Sequence, residues 1–280
     1  MINKKIKYFI ITACIILLAI IFILPVFLTI MASFVDEEKI NLILGSNTWE
    51  NMISPAKLSL SSYDQLLFDF FPFYRLFWNS IIYSTLITFF ALLVGFLAGF
   101  SFYYSKYRGK KVIYIIYILL MMMPLQVTIL PNYIGLREMN LLNTPYAIIL
   151  PLVFSPFGVV ILRQYMSGLD VDIIEAARLE TSSIIRILIK VVAPQIKVCI
   201  SAVTLFIFVD SWSIVEQPLL LVKDQKLKTM TTLFSNTIDV GMDIILAASV
   251  IYLIPVLILY CNFSQHLEEG LALGRVSIHD

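Results

Sequence analysis

The stretch Glu175-Ala176-Ala177-Arg178-Leu179-Glu180-Thr181, followed by Ala193-Pro194, decides how this chain is organised. It lies in a charged, amphipathic segment, 163–197, between two apolar runs that are too long for helices of a soluble protein. A bilayer gains no stability from such a segment. Its charges are therefore expected to be recognised by a partner outside the membrane.

The composition is that of a membrane protein. Hydrophobic residues make up 60% of the 280 and charged residues only 14%, whereas soluble domains have about 25% charged residues. Roughly 20 mostly apolar residues cross the hydrocarbon core as a helix, and the long runs are continuously apolar, which excludes a β-barrel. Six spans are predicted in an all-α fold: Tyr8–Ser33, Leu76–Ser105, Val112–Gly135, Met139–Leu162, Pro194–Val215 and Ile244–Leu267.

The distribution of charge predicts the orientation of these spans. With the N-terminus inside, most of the 20 Lys and Arg residues lie on the inner side and most of the 19 Asp and Glu residues on the outer side. Both termini and the charged segment are then cytoplasmic. The first apolar run is longer than the core of a signal peptide, so it is expected to remain as an anchor.

Three parts follow from this topology. Residues 1–73 form the first helix and an acidic extracytoplasmic loop, residues 74–267 form a core of five helices, and residues 268–280 form a cytoplasmic tail. Cys14, Cys199 and Cys261 all lie in apolar spans and predict no disulfide.

Two short helices are predicted within the charged segment. Asp170 or Asp172 is suited to cap the first, whose apolar face is formed by Ile173, Ile174 and Ala177. Thr181-Ser182-Ser183 ends it and begins the second. The apolar stripe of the second helix is predicted at Ile184, Ile185, Leu188, Val191 and Val192. The alternative to a docking site is an amphipathic helix that lies on the membrane surface.

A candidate pathway follows from the remaining polar and proline residues. The prolines in the spans predict ordinary kinks of membrane helices, and the dense run between Pro145 and Pro156 is the best candidate for the alternative, a broken helix of the kind that lines midplane sites. Asp210 lies about 20 Å along a helix from Lys197, too deep for its short side chain to reach the surface. We therefore expect Asp210 either to lie at the end of a fifth helix that stops early or to face a water-filled cavity, and in both cases to point to the pathway or a partner subunit in the membrane and never to lipid. Trp212 is either an interfacial anchor or a surface on which a sugar ring stacks.

At Glu175–Thr181 the chain resembles the permease subunits of bacterial ATP-binding cassette (ABC) importers, whose EAA loop docks onto the ATPase. Thr181 and Ala193-Pro194 stand where that family has Gly and Leu-Pro. Further likeness to its sugar-import, maltose-type branch is carried by Phe77-Trp78-Asn79-Ser80, Trp212, Pro218-Leu219, Lys228-Thr229, and Gly270-Leu271 with Gly274. Asn is usual at Ser213 and Lys-Gly at Val276-Ser277.

The resemblance implies the fold of a type I importer permease with six helices, like the shorter subunit of that branch. It also implies that Glu175, Ala176, Ala177, Arg178, Glu180 and Thr181 couple to the ATPase, and that Gly270, Leu271 and Gly274 contact it. Pro218 joins Asp210 and Trp212 as a pathway candidate. The implied partners are a second homologous permease, two ATPase subunits, an extracytoplasmic solute-binding protein and the bilayer of a bacterial cell membrane, without nucleic acid.

No catalytic site is predicted in this chain. Gly109-Lys110 lacks the first Gly and the hydroxyl residue of a phosphate-binding loop, and His266 and His279 lack metal-ligand spacing. We expect no cofactor, with ATP and Mg²⁺ held by the partner ATPases. Two alternatives to a carbohydrate importer stay open. One is an ABC permease for a polyamine, an osmolyte or glycerol phosphate, and the other is an ion-coupled secondary transporter, for which only Asp210 offers a midplane carboxylate.

Overall fold

The computed structural model describes residues 4–35, 40, 58–235 and 240–276, and it describes side chains within these ranges from Tyr8 to Ser264. All regular structure in the described residues is helical. The chain divides into two units, one of Met1–Tyr74 with Leu233–Ile254 and the other of Arg75–Thr232 with Pro255–Asp280.

Helix α1, Lys4–Ala32, confirms the first predicted span. Its apolar part, Tyr8–Ala32, is long enough to cross a membrane, and the most apolar stretch of it is nowhere buried within the chain. In the same unit, Ser33 shares a hydrogen bond with Tyr63 (2.7 Å), and Ser62 donates a hydrogen bond to the buried carboxylate of Asp243 (3.1 Å).

Helix α2, Pro72–Tyr104, is a single unbroken helix of 33 residues. At about 1.5 Å per residue it measures roughly 50 Å, which exceeds the thickness of the hydrocarbon core. Its ends therefore project beyond the apolar layer. This length allows one helix to connect a site inside the membrane with a site at its surface.

The third predicted span, Val112–Gly135, is not one helix. It consists of α3, Lys110–Met121, and α4, Leu125–Glu138, which meet at an angle of 106°. Pro124 lies between them in an extended conformation, and its ring prevents the preceding residues from continuing the helix. The sequence pattern predicted the apolar run correctly but gave no sign of so large a bend.

The fourth span is broken where the prolines predicted a break. Helix α5, Pro145–Val153, is followed by Phe154 and Ser155 and then by α6, Pro156–Met166. The span begins later than the predicted Met139, because residues 140 and 143 are asparagines with positive φ and Pro145 starts the helix.

The charged segment and the fifth span form three helices. They are α7, Val171–Glu180, α8, Ile184–Gln195, and α9, Lys197–Trp212. Helices α8 and α9 meet at 88°, and the bend follows Pro194 by two residues. The observed helix α9 therefore starts at Lys197, three residues after the predicted start at Pro194.

The last helices are α10, Glu216–Leu221, α11, Met230–Ser235, and α12, Met242–Val276. The apolar part of α12, Met242–Ser264, is long enough to span a membrane. Among the described residues, α1, α2, α12 and the α5–α6 span are each long and apolar enough to cross a membrane, and the bent pairs α3–α4 and α8–α9 can each form one more span, which gives up to six.

Candidate functional site

Helix α7 is capped at both ends by local hydrogen bonds. The Asp170 carboxylate accepts the backbone N–H of Asp172 (3.0 Å), which places Asp170 at the N-cap, one of the two positions predicted. At the other end, the Thr181 N–H donates to the Ala177 carbonyl (3.1 Å). These bonds define a helix of ten residues that needs no partner to fix its ends.

One face of α7 is buried and the other is exposed. Ile174 is buried and Ala177 half-buried, but Ile173, predicted on the same face, is 43% exposed. Ile173 is one residue from Ile174 and therefore about 100° away around the helix. The exposed set contains Leu179, which is 91% exposed, together with Glu175, Ala176, Arg178 and Glu180. This face thus carries one exposed apolar side chain and several charges.

The junction between α7 and α8 is formed by two hydroxyl groups. Thr181 Oγ1 accepts the Ser183 N–H (3.3 Å), and Ser183 Oγ accepts the Arg186 N–H (3.4 Å). Ser183 is therefore the N-cap of α8. Thr181 has φ of −149°, an extended conformation that any residue adopts.

The apolar stripe predicted on α8 is partly wrong. Ile187, Leu188 and Val192 are buried, whereas Ile184 is 43% exposed and Ile185 is 64% exposed. Ile184 and Ile185 occupy the first turn of α8, directly after the Ser183 cap, and a π-helical turn over Leu188–Val192 follows them. A prediction based on a regular period of 3.6 residues cannot anticipate such a turn.

The end of α2 holds α7 in place. The Tyr103 hydroxyl donates to the Leu169 carbonyl just before α7 (2.8 Å), and the Arg178 guanidinium lies 4.7 Å from the centre of the Tyr104 ring. The Lys110 ammonium donates to the carbonyls of Tyr103 and Ser105 (3.1 and 2.9 Å), which satisfies acceptors at the C-terminus of α2.

N-terminal to Tyr103, α2 packs against α6 through backbone rather than side chains. A Cβ atom added at Gly95 would lie 3.2 Å from the carbonyl carbon of Gly158, and one at Gly99 would lie 3.1 Å from the backbone nitrogen of Arg163. Gly95 and Gly99 form the small-xxx-small pattern that allows helices to approach closely in membranes. Sequence reasoning missed these glycines and the two tyrosines, although this spacing is a readable signal.

Glu175 lines a cavity of about 440 Å³ next to the contacts between α7 and the C-terminal end of α2. The cavity is also lined by Lys106, Lys110 and Arg178. Among the residues that the structure describes, none donates a hydrogen bond to the Glu175 carboxylate. The site therefore offers an unpaired carboxylate, three cations and an exposed leucine on a rigid support.

A second cavity, of about 620 Å³, contains Asp210. Trp212 and Pro218, predicted with Asp210 to line a pathway, do not line this cavity. Trp212 is only 3% exposed and packs against Phe77 and Phe208, with ring centroids 6.2 and 5.7 Å apart; Pro218 is buried as well. Proximity to Asp210 in sequence does not place these two side chains on the wall of this cavity, and their role in a pathway stays a prediction.

The remaining predicted residues concern the tail and metals. Gly270, Leu271 and Gly274 lie on the last turns of α12, and their side chains lie outside the described part of the chain. Over the described residues, no group of three or more His, Cys, Asp or Glu side chains is placed to hold a metal ion.

Comparisons with known proteins agree with this arrangement. Residues 91–272 match the model of a family described as binding-protein-dependent transport system inner membrane component. The arabinooligosaccharides transport system permease protein AraQ of Bacillus subtilis (strain 168) is 24% identical over 263 residues, which are 93% of this chain and 92% of that protein. The sn-glycerol-3-phosphate transport system permease protein UgpE of Escherichia coli O1:K1 / APEC is 23% identical over 261 residues, 90% of this chain and 91% of that protein.

A solved structure shows the same fold. It is described as a bacterial ABC transporter involved in the import of the acidic polysaccharide alginate, and the match has a TM-score of 0.81 at 18% identity. The match covers 95% of this chain and 99% of that chain, so the two folds correspond over nearly their whole lengths.

Proposed function

The chain belongs to the family of inner membrane components of binding-protein-dependent transport systems, and we propose that it forms half of the pathway through which an ABC importer passes a carbohydrate. It is a multi-pass protein of the cytoplasmic membrane, and the permease subunits of this family are not catalytic. In this proposal ATP and Mg²⁺ are bound by partner ATPase subunits, and this chain binds no cofactor.

The observation that carries the proposal is the exposed face of α7. Leu179 is 91% exposed, Glu175 has no hydrogen-bond partner in the described residues, and the helix is held from behind by Tyr103 and Tyr104 of α2. A helix lying on lipid would direct its apolar residues to one side. Here Leu179 shares its side of the helix with Glu175, four residues earlier, which suits a protein surface that has both an apolar and a charged contact.

Coupling then follows from the connection between α7 and α2. When the ATPase dimer closes, it moves α7, and α2 transmits this displacement into the membrane because the two are joined by short contacts. The helix bundle switches between inward-open and outward-open states, a two-state change biased at one site and used at another. Glu175, Ala176, Ala177, Arg178, Glu180 and Thr181 are the proposed coupling residues.

The other partners and the domain organisation are part of the same proposal. A second homologous permease completes the pathway and a solute-binding protein delivers the cargo from outside. Residues 74–267 form the permease core, with both termini cytoplasmic, and the tail from residue 268, with Gly270, Leu271 and Gly274, contacts the ATPase. Truncation after Leu267 is expected to weaken assembly with the ATPase, measured by co-purification.

The carbohydrate assignment is supported by relatives named for arabinooligosaccharides and by the neighbour named for alginate. Relatives named for sn-glycerol-3-phosphate favour a second candidate, a permease for a phosphorylated solute. The test is reconstitution of this chain with the permease, ATPases and binding protein encoded beside it. ATP-dependent uptake of a saccharide supports the proposal. Uptake of glycerol phosphate, a polyamine or an osmolyte alone supports the alternative. Uptake driven by an ion gradient without ATP contradicts both.

A further inference from the structure

The larger cavity lies where two membrane helices are interrupted. Its wall includes residues 120–125 at the bend between α3 and α4, residues 154–156 between α5 and α6, and residues 206–211 of α9. Non-helical backbone at membrane depth is stable only where protein buries it or where it lines a water-filled space. Two breaks therefore meet at one cavity, and its volume of about 620 Å³ lies within the range of ligand pockets.

Polar groups with free hydrogen-bonding capacity reach this cavity from three places. Asn132 of α4, Ser155 between α5 and α6, and Asp210 of α9 all line it. In the described part of the chain, none of these three side chains has a hydrogen-bond partner. Thr128 and Ser211 donate their hydroxyl protons to backbone carbonyls, so their oxygen atoms still accept hydrogen bonds.

The charge of the lining is entirely negative. Asp210 is an acid, and the lining residues of the cavity include no lysine, arginine or histidine. An ionised carboxylate accepts hydrogen bonds from hydroxyl groups and repels other anions, and this repulsion is stronger in a cavity than in bulk water because the local dielectric constant is lower. The wall therefore provides acceptors for sugar hydroxyls and no cation for an acidic or phosphorylated cargo.

The same cavity has an apolar side. Phe157 and Phe206 stack with ring centroids 4.2 Å apart, and both line the cavity with Phe154. Aromatic surface opposite a few polar groups suits a ligand with an apolar face and a hydroxylated edge. Saccharide rings have these two kinds of surface.

From this lining we infer that Asp210 makes the pathway selective for uncharged or cationic saccharides and rejects anionic ones. The inference rests on the proposed function in taking the cavity as part of the transport pathway. It separates this chain from its relatives named for sn-glycerol-3-phosphate and from the structural neighbour named for alginate, whose named cargoes are anionic. It assigns to Asp210 a specificity-determining role.

The electrostatic part is tested with thiol reagents that need no knowledge of the cargo. Cys14, Cys199 and Cys261 are replaced by alanine, Thr128→Cys is introduced, and the full importer is reconstituted. Reaction rates are measured for a cationic (trimethylammonium-ethyl) and an anionic (sulfonatoethyl) methanethiosulfonate, each divided by its rate with free mercaptoethanol. The normalised cationic rate is expected to exceed the anionic rate about tenfold.

Asp210→Asn is expected to bring this ratio close to one, and Asp210→Glu to preserve it. Glu216→Gln is the matched control, since Glu216 is an exposed acid that does not line the cavity, and it should leave the ratio unchanged. Ser155→Cys provides a second reporter on the same wall. A ratio that Asp210→Asn does not change, or no reaction at either reporter, overturns the inference.

The cargo itself gives a second readout. The saccharide identified by reconstitution should carry no net negative charge, and a uronate or a phosphorylated sugar overturns the inference even if transport is ATP-driven. Absence of ATP-driven saccharide uptake together with a high, Asp210-dependent reagent ratio would instead refute the proposed function alone. The two failures are thus distinguishable.

Discussion

Helix α2 and the α3–α4 pair are both apolar enough to cross a membrane, but their shapes differ. Helix α2 is unbroken over 33 residues and touches the backbone of α6 at two glycines, whereas α3 and α4 meet at 106° and leave a cavity at the bend. Both sequences are strongly apolar. The difference teaches that hydrophobicity places a segment in the membrane, while glycine spacing and proline position decide whether it becomes a rigid connection or a cavity wall.

The largest effect is expected where α2 packs against α6. Gly99→Leu places a side chain where even a Cβ would lie 3.1 Å from the Arg163 backbone nitrogen, so α2 and α6 must separate. Overpacking of this kind costs about 1–3 kcal/mol, occasionally more. We expect a lower thermal midpoint of the detergent-solubilised protein and loss of transport.

Gly135→Leu in α4 is the matched control, because an added Cβ there meets nothing within 4 Å. Its thermal midpoint should stay near that of the parent protein. Equal midpoints for the two variants would remove the distinction drawn between α2 and the α3–α4 pair.

The second largest effect is expected at the exposed face of α7, which α2 contacts. Glu175→Ala removes the unpaired carboxylate of α7, and loss of one member of a buried interfacial charge pair costs about 2–5 kcal/mol. We expect weaker ATPase binding and lower transport-stimulated ATP hydrolysis, with normal membrane insertion. Glu216→Ala, at an exposed position of α10, should leave both unchanged; undiminished coupled hydrolysis in Glu175→Ala would show that α7 does not use this carboxylate.

A smaller effect is expected at the joint between α2 and α7. Tyr103→Phe removes the hydroxyl that donates to the Leu169 carbonyl, a hydrogen bond that contributes about 1 kcal/mol. The ratio of solute transported to ATP hydrolysed should fall while the ATPase stays bound. Tyr107→Phe, in the loop after α2, is the control, and an unchanged ratio in both variants would mean that this bond does not transmit movement.

The smallest effect is expected at Thr181. Its φ of −149° permits any residue, so the glycine usual in the family is not required by conformation here. The hydroxyl is what matters, because it accepts the Ser183 N–H. Thr181→Ser should transport normally, and Thr181→Val should lose only about 0.5–1 kcal/mol of local stability, seen as faster amide exchange at residue 183; faster exchange in both variants would contradict this.

The sequence predicted the membrane spans and the location of α7 because apolar run length and cap residues are local properties. Asp170, for example, caps α7 through a neighbouring backbone N–H. It did not predict the 106° bend, because Pro124 indicates where a helix stops but not the angle at which the next one leaves, or the burial of Trp212, because that depends on packing against residues distant in sequence such as Phe77. The π-helical turn over Leu188–Val192 in α8 was likewise not predicted.

The exposed α1 has a consequence for how the protein is made. No residue in its most apolar stretch is buried within the chain, so α1 can partition into lipid without waiting for the helices that follow it. The α3–α4 pair emerges afterwards with Thr128 and Asn132, polar groups that lipid cannot solvate, and the α9 wall of their cavity is synthesised about 70 residues later. Biogenesis therefore has an early step that depends only on hydrophobicity and a late one that depends on assembly, and insertion factors are needed most in the interval between them.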